Sequence, residues 1–399
     1  MLDDRRIKFV HDRDLVIFSE RCSLRAGRRQ PPAYCRSRSG ERTTGAIMVA
    51  THLDTESMHE HVVIRRGIRS GLPIVVAVHS TALGQAIGGC RLAHYPHWRD
   101  GLTDALRLSA AMSDKCALAG LPNGGGKTVV ALPPGRTLDT AARRAVLHDA
   151  GDAIAGLDGA YATGPDVGTG PDDMVTIAER TPHAFCRPVH AGGSGDSSGH
   201  TAVGVLAALH ALCAERFGSA DLSARSFAVL GLGRVGGHVL RMLADAGATL
   251  VAADIGEGRR MLADTAGAAW TSPQDCLTAD VDVLVPAALG GLLTPHTVPT
   301  LRCAAIAGPA NNQLDTPATA DLLHQHGILW APDIIVSAGG IIHATAVELH
   351  RQTSAQATAR VHGIADTLTD ILRTARATGS TPAAAARSRA RHRIESGRR

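Results

Sequence analysis

Of the 41 basic residues in this 399-residue chain, only Lys8, Lys115 and Lys127 are lysines. Arginine stays protonated, whereas a lysine amine loses its proton once its surroundings depress its pKa. Keeping two lysines twelve residues apart in so arginine-rich a chain suggests chemistry that needs a titratable amine. Both lie in MSDKCALAGLPNGGGKTVVALPPG, with Lys115 ending a helical stretch and Lys127 following three glycines into an apolar strand. The glycines do not make a phosphate loop, because Gly120 and Gly126 miss the G-x-x-x-x-G-K-[ST] spacing. They are better read as a tight turn that sets the amine at the rim of a cleft, with room for a substrate beside the backbone. Further on, YATGPDVGT places Asp166 in a loop framed by Pro and Gly, where a turn aspartate is the simplest reading.

A second glycine cluster lies in SFAVLGLGRVGGHVLRMLADAGATLVAAD. A short apolar strand over 226–230 meets Gly231, Gly233 and Gly236 in G-x-G-x-x-G, then a helix and a second strand ending at Asp254. Gly231 permits the turn, Gly233 lets backbone approach a pyrophosphate, and Gly236 seats the helix whose N–H groups face the phosphates. Asp254 stands where a carboxylate accepts from both ribose hydroxyls and repels a 2′-phosphate, which points to NAD over NADP. Arg259 and Arg260 just beyond it weigh the other way.

The surrounding elements are those such sites need. Strands such as LPIVVAVHS and KTVVALP alternate with helical stretches from 48 to about 190, and AGGSGDSSG over 191–199 is a flexible hinge by composition. Helix and strand alternate again from Thr201 to about 340, which predicts an α/β protein with a Rossmann doubly wound domain. We place a disordered Arg-rich extension over 1–47, a first α/β unit over 48–190, the dinucleotide domain over 200–340, helices over 341–376, and a flexible tail over 377–399. A net charge of +4 argues against a nucleic-acid surface, and no apolar run is long enough to span a membrane. The eight cysteines are scattered with no metal-ligand spacing, so they read as buried small side chains in a reducing cytoplasm, and no metal site is expected.

With GQAIGGCR, MSDKCA, LPNGGGKTVVALP, TGPDVGT, GGSGDSS, TAVGV, GLGRVGG, PAALGG, ANNQL, GILWAPD and AGGIIHA in this order, the chain resembles the glutamate/leucine/phenylalanine/valine dehydrogenase family over roughly residues 60–375. It is most like the valine, leucine and phenylalanine dehydrogenases. The resemblance implies that 48–190 is a substrate and dimerisation domain completed by the helices over 341–376, with a cleft between it and the NAD domain. It also implies NAD-dependent oxidative deamination of an L-amino acid to a 2-oxo acid and ammonia by a homo-oligomer. It implies that Lys115 holds the substrate α-carboxylate, that Lys127 polarises the developing carbonyl and activates water, and that Asp166 carries protons to and from the amino group. Gly89, Ile87, Asn312 and Ala344 are implied on the substrate side, and Thr201, Val235 and Asn311 join the glycines and Asp254 on the cofactor side.

Substrate choice turns on Ile87, at a position where glutamate-using members carry a lysine. An apolar side chain cannot compensate a buried carboxylate, so the expected substrate is apolar, branched-chain or aromatic. The small Ala344 favours the roomier pocket. Three residues depart from the family pattern, namely Asp114 beside Lys115, Pro309 before the paired asparagines, and Ser337 where an asparagine is usual. They motivate a rival reading, a catalytically impaired member with a binding or assembly role. Another NAD enzyme on the same fold, such as a 2-hydroxy acid dehydrogenase, would need a catalytic His beside an acid, and none of the twenty histidines has that setting.

Overall fold

The computed structural model describes residues 59–288 and 290–398, together with the strand Val16–Phe18. It holds two six-stranded sheets. The first is built from β1 (Val16–Phe18), β2 (His61–Arg66), β3 (Pro73–Ser80), β4 (Ala86–His94), β5 (Gly124–Leu132) and β6 (Tyr161–Pro165), in the order β1-β2-β3-β5-β4-β6. β1, β2, β3 and β5 pair antiparallel, whereas β5, β4 and β6 run parallel. All nine residues of β5 are buried, as expected for a central strand covered on both faces.

The second sheet comprises β7 (Ser226–Leu230), β8 (Thr249–Ala253), β9 (Ala269–Trp270), β10 (Val283–Pro286), β11 (Ala305–Ile306) and β12 (Leu329–Trp330). Every pairing is parallel and the order is β12-β11-β10-β7-β8-β9, the 3-2-1-4-5-6 arrangement of a doubly wound dinucleotide fold read from its other edge. Strand order reverses between β7 and β10, so the crevice of such a sheet opens where Gly231 leaves β7. A Cβ on Gly231 would sit 2.6 Å from the amide nitrogen of Ala288, so only glycine lets the two strand ends come this close.

Three expectations change. The triple glycine was read as leaving room for a substrate, but protein fills that space. A Cβ on Gly124 would lie 1.8 Å from the Ser80 carbonyl, one on Gly125 2.0 Å from the Ser113 amide nitrogen, and one on Gly126 2.5 Å from the Tyr161 ring. The glycines let the helix Trp98–Leu118 and the neighbouring strands close onto β5, and that packing brings the two lysines near enough to feel each other's charge. Within 377–399, expected as a flexible tail, Pro382–Gly397 instead forms a helix. Thr381 caps it, Pro382 starts it, and Ala383, Ala385, Ala386, Ala390 and Ile394 are buried, while Arg393 donates to the carbonyls of Ala117 and Leu121. The helix packs on Trp98–Leu118 and on Ile364–Thr378. Within the expected disordered extension, Val16–Phe18 pairs as an edge strand with β2, a role suited to its Val-Ile-Phe run, and the remainder of 1–47 lies outside the described residues.

The segment 191–199, expected as a hinge, is tied down at one point. The side chain of Glu348, in a π-helical turn over Thr345–Leu349, accepts from the amides of Cys186 and Ser194 and from the Ser194 hydroxyl. Cys90, Cys116, Cys186, Cys213, Cys276 and Cys303 are free and buried. Among the described residues, no helix is long and apolar enough to cross a membrane, and no cluster of His, Cys, Asp or Glu could hold a metal ion.

Candidate active site

β4 lies between β5 and β6, with Cys90 level with Thr128 on one side and Pro165 on the other. That register brings Lys127 and Asp166 together over Gly89, where a Cβ would stand 2.7 Å from the Asp166 Cβ and 3.2 Å from Lys127 Nζ. Lys127 is 5% exposed, and its Nζ lies 2.8 Å from Asp166 Oδ2. The same oxygen accepts from Arg91 Nε at 2.8 Å. Burial pushes the Lys127 amine below its ordinary pKa, against the pull of Asp166. Burial works against ionisation of Asp166, but Lys127 and Arg91 outweigh it and hold its carboxyl below the usual range. The pair is thus a carboxylate beside an amine whose proton is loosely held.

Lys115 comes from the last turn of Trp98–Leu118 and meets the other sheet. Its Nζ donates to Asn311 Oδ1 and Ser337 Oγ, both at 3.0 Å. Burial lowers its pKa and Lys127 adds to that, while the Asp333 carboxylate opposes it. Ser337 donates its own proton to the Asp333 carbonyl at 2.6 Å, which turns a lone pair toward the amine. The serine that departs from the family pattern therefore still offers an acceptor. Asn312, held at φ +55°, accepts from Arg107 at 3.3 Å, a second contact across the cleft.

The other departures also find places. Asp114 faces the C-terminal helix, where Arg387 and Arg391 pull against the burial that pushes its carboxyl up to about 6. Pro309 is buried in the chain that turns from β11 toward Asn311. Ile87 and Ala344, at 0% and 1% exposure, belong to one apolar cluster that spans both sheets.

The glycine loop has the shape a dinucleotide requires. Gly231 takes φ +105°, and a Cβ on Gly236 would lie 1.9 Å from the Gly231 carbonyl, so the helix Arg234–Asp245 sits hard against the turn. A Cβ on Gly233 would meet nothing within 4 Å, leaving its backbone open to a ligand. Asp254 follows β8 and accepts from the amides of Leu232 and Gly256, which fixes its carboxylate beside the loop. These residues fit a bound dinucleotide. Val235 packs half-buried in the first turn of that helix. Thr201 donates to the Ser197 carbonyl and would stand 2.6 Å from a Cβ on Gly340.

Comparison with known proteins matches residues 54–183 to the Glu/Leu/Phe/Val dehydrogenase dimerisation domain and 254–393 to the Glutamate/Leucine/Phenylalanine/Valine dehydrogenase model. Leucine dehydrogenase of Geobacillus stearothermophilus is 37% identical over 342 residues, 86% of this chain and 92% of that protein. The chain belongs to the glutamate/leucine/phenylalanine/valine dehydrogenase family. Phenylalanine dehydrogenase of Lysinibacillus sphaericus is 40% identical over 290 residues, 71% of this chain and 75% of the relative. The crystal structure of L-tryptophan dehydrogenase from Nostoc punctiforme superposes with a TM-score of 0.75 at 34% identity, covering 86% of this chain and 98% of that one. As in other members of this dehydrogenase family, the fold is a two-domain α/β structure with a Rossmann sheet, and the family implies a nicotinamide cofactor.

Sequence reasoning did not single out Arg91, Asp104, Arg107 or Asp333. Arg91 stands inside the GGCR segment and Asp333 inside GILWAPD, so both were in view without a role. Asp104 and Arg107 carry no motif and become visible only once their helix is packed.

Proposed function

We propose that this dehydrogenase catalyses NAD-dependent oxidative deamination of an L-amino acid with an apolar side chain, giving the 2-oxo acid, ammonia and NADH. The reading is carried by the buried Lys127–Asp166 pair at 2.8 Å, with a second lysine, Lys115, within reach of its charge. Lys115 binds the α-carboxylate and exchanges its bonds to Asn311 and Ser337 for it. Both cations on Asp166 bind Oδ2, and Oδ1 accepts no hydrogen bond among the described residues, which leaves it for the substrate amino group. Asp166 takes a proton there, and the depressed Lys127 amine serves as base toward the attacking water. Bound NAD supplies the hydride acceptor for Cα. Asn311 and Asn312 close the cleft from the dinucleotide side and exclude solvent from the reacting centre.

Asp254 favours the free 2′-hydroxyl of NAD over the phosphate of NADP. Ile87 supplies no counter-charge for a side-chain carboxylate, which disfavours glutamate, and the leucine, phenylalanine and tryptophan dehydrogenases named above point the same way. We assign the substrate and dimerisation domain to residues 48–190 with 341–376, and the NAD domain to 200–340. We take the protein to act as a cytoplasmic homo-oligomer, in keeping with a matched model that is described as a dimerisation domain.

The test is NADH formation over a panel of L-amino acids, with D-isomers and NADP as controls. Turnover of an apolar L-amino acid with NAD is expected. Absence of turnover with every apolar substrate would refute the reading, and a preference for glutamate would refute the role given to Ile87.

A further inference from the structure

We propose that Arg91 is a positioning residue that aims Asp166 at the substrate, and that Asp104 and Arg107 behind it couple this grip to closure of the cleft at Asn312. The proposal rests on the reaction proposed above. Arg91 is 17% exposed and its guanidinium is forked between two carboxylates, with Nε on Asp166 Oδ2 at 2.8 Å and Nη1 on Asp104 Oδ2 at 2.6 Å. Two contacts at fixed angles set the plane of the fork, which a single ammonium could not do. Because Arg91 and Lys127 share Oδ2, the carboxylate is rotated so that Oδ1 stays available to the substrate.

Asp104 is itself held from two other sides, by the Tyr95 hydroxyl at 2.8 Å and by Arg107 Nη2 at 2.7 Å. Arg107 then reaches across the cleft, donating from Nη1 to Asn312 Oδ1 at 3.3 Å. A continuous chain of bonded groups thus runs from the reacting pair through Arg91, Asp104 and Arg107 to the asparagine that closes on it. Opening the cleft removes the last contact and leaves Arg107 only Asp104 to bind.

The charged and titratable groups around Asp166 are Lys127 of β5, Arg91 and Cys90 of β4, Lys115 of Trp98–Leu118 and Tyr161 of β6. Of these, Lys127 and Arg91 hydrogen-bond the carboxylate. Arg91 lowers the proton affinity of Asp166 and of Lys127 alike, so losing its charge raises both. Oxidative deamination needs Asp166 ionised and the Lys127 amine neutral, so the acid limb of its pH–rate profile must then move to higher pH.

The experiment compares Arg91→Gln, Arg91→Lys and Arg107→Ala with the wild type in pH profiles of kcat and kcat/KM, with NAD affinity and Tm measured alongside. In Arg91→Gln the acid limb should rise by about one pH unit or more in both profiles, with NAD affinity unchanged. Arg91→Lys keeps the charge and loses the fork, so the limb should return toward wild type while kcat stays depressed about threefold or more. Arg107→Ala should lower kcat about two- to fivefold and shift its limb further than the kcat/KM limb, because kcat/KM reports the free, open enzyme, in which Arg107 holds Asp104 without Asn312.

A folded Arg91→Gln protein with the wild-type profile overturns the positioning role. Should that variant not fold, Arg91→Lys decides, and wild-type kcat and KM there overturn it equally. Equal shifts of both limbs in Arg107→Ala, or none, overturn the coupling to closure. A wild type inactive on every amino acid fails the reaction proposed above, whereas an active wild type with an indifferent Arg91 fails this inference alone.

Discussion

Gly89→Ala places one methyl group where the structure has least space for it. The new Cβ would stand 2.7 Å from the Asp166 Cβ, 3.0 Å from the Pro165 carbonyl oxygen and 3.2 Å from Lys127 Nζ. Carbon atoms in contact prefer about 3.5–4.0 Å, so a gap near 1 Å must open between β4 and the Asp166 backbone. The lysine can yield by bending its flexible end. Asp166 cannot, because its own amide is bonded to Thr169 and its loop to the Cys90 carbonyl. The 2.8 Å contacts to Lys127 and Arg91 therefore give way, and a misplacement of about 1 Å at a reacting centre costs on the order of 100-fold in rate. The overpacking itself should cost about 1–3 kcal/mol, which a chain of this size survives. The assay is kcat/KM on the best amino acid, with Tm and NAD affinity showing that the protein is folded and the cofactor site intact. Activity within about threefold of wild type would show that the Lys127–Asp166 geometry tolerates the displacement, and the argument from spacing would fail.

Two adjacent glycines should respond in opposite ways. Gly236→Ala drives a methyl to 1.9 Å from the Gly231 carbonyl and should weaken NAD binding by at least about tenfold, read by fluorescence titration. Gly237→Ala meets Leu262 at 3.5 Å and the Leu232 carbonyl at 3.8 Å, both ordinary contacts, and should bind NAD normally and gain about 0.5–1 kcal/mol of stability. Equal NAD affinity in the two variants would refute the phosphate-loop assignment. If Ala344 lines the side-chain pocket, Ala344→Leu adds roughly three methylene-sized groups there, and the ratio of phenylalanine to valine kcat/KM should fall by at least about tenfold. Equal losses on both substrates would mark Ala344 as a packing residue, in line with its burial in the apolar cluster.

The sequence alone determined the local pieces. A glycine-rich turn between an apolar strand and an amphipathic helix has few alternatives, so Gly231, Gly233, Gly236 and Asp254 stand together as their spacing requires. The scarcity of lysine singled out Lys115 and Lys127 because only a titratable amine needs to be kept where arginine would otherwise serve. What the chain order does not encode is which surfaces meet. The glycines before Lys127 announce a close approach, but not that Ser80, Ser113 and Tyr161 make it, and so the space was credited to a substrate. The last helix looks frayed from its high polarity and weakly patterned alanines, yet most of those alanines are buried and the helix packs against Trp98–Leu118. Asp104 and Arg107 belong to no motif, and Ser337 counted as a defect until its hydroxyl was found beside Lys115. Charge networks of this kind join residues from separate strands and helices at distances of a few ångströms, so they exist only after both sheets have packed, and only the tertiary structure decides them.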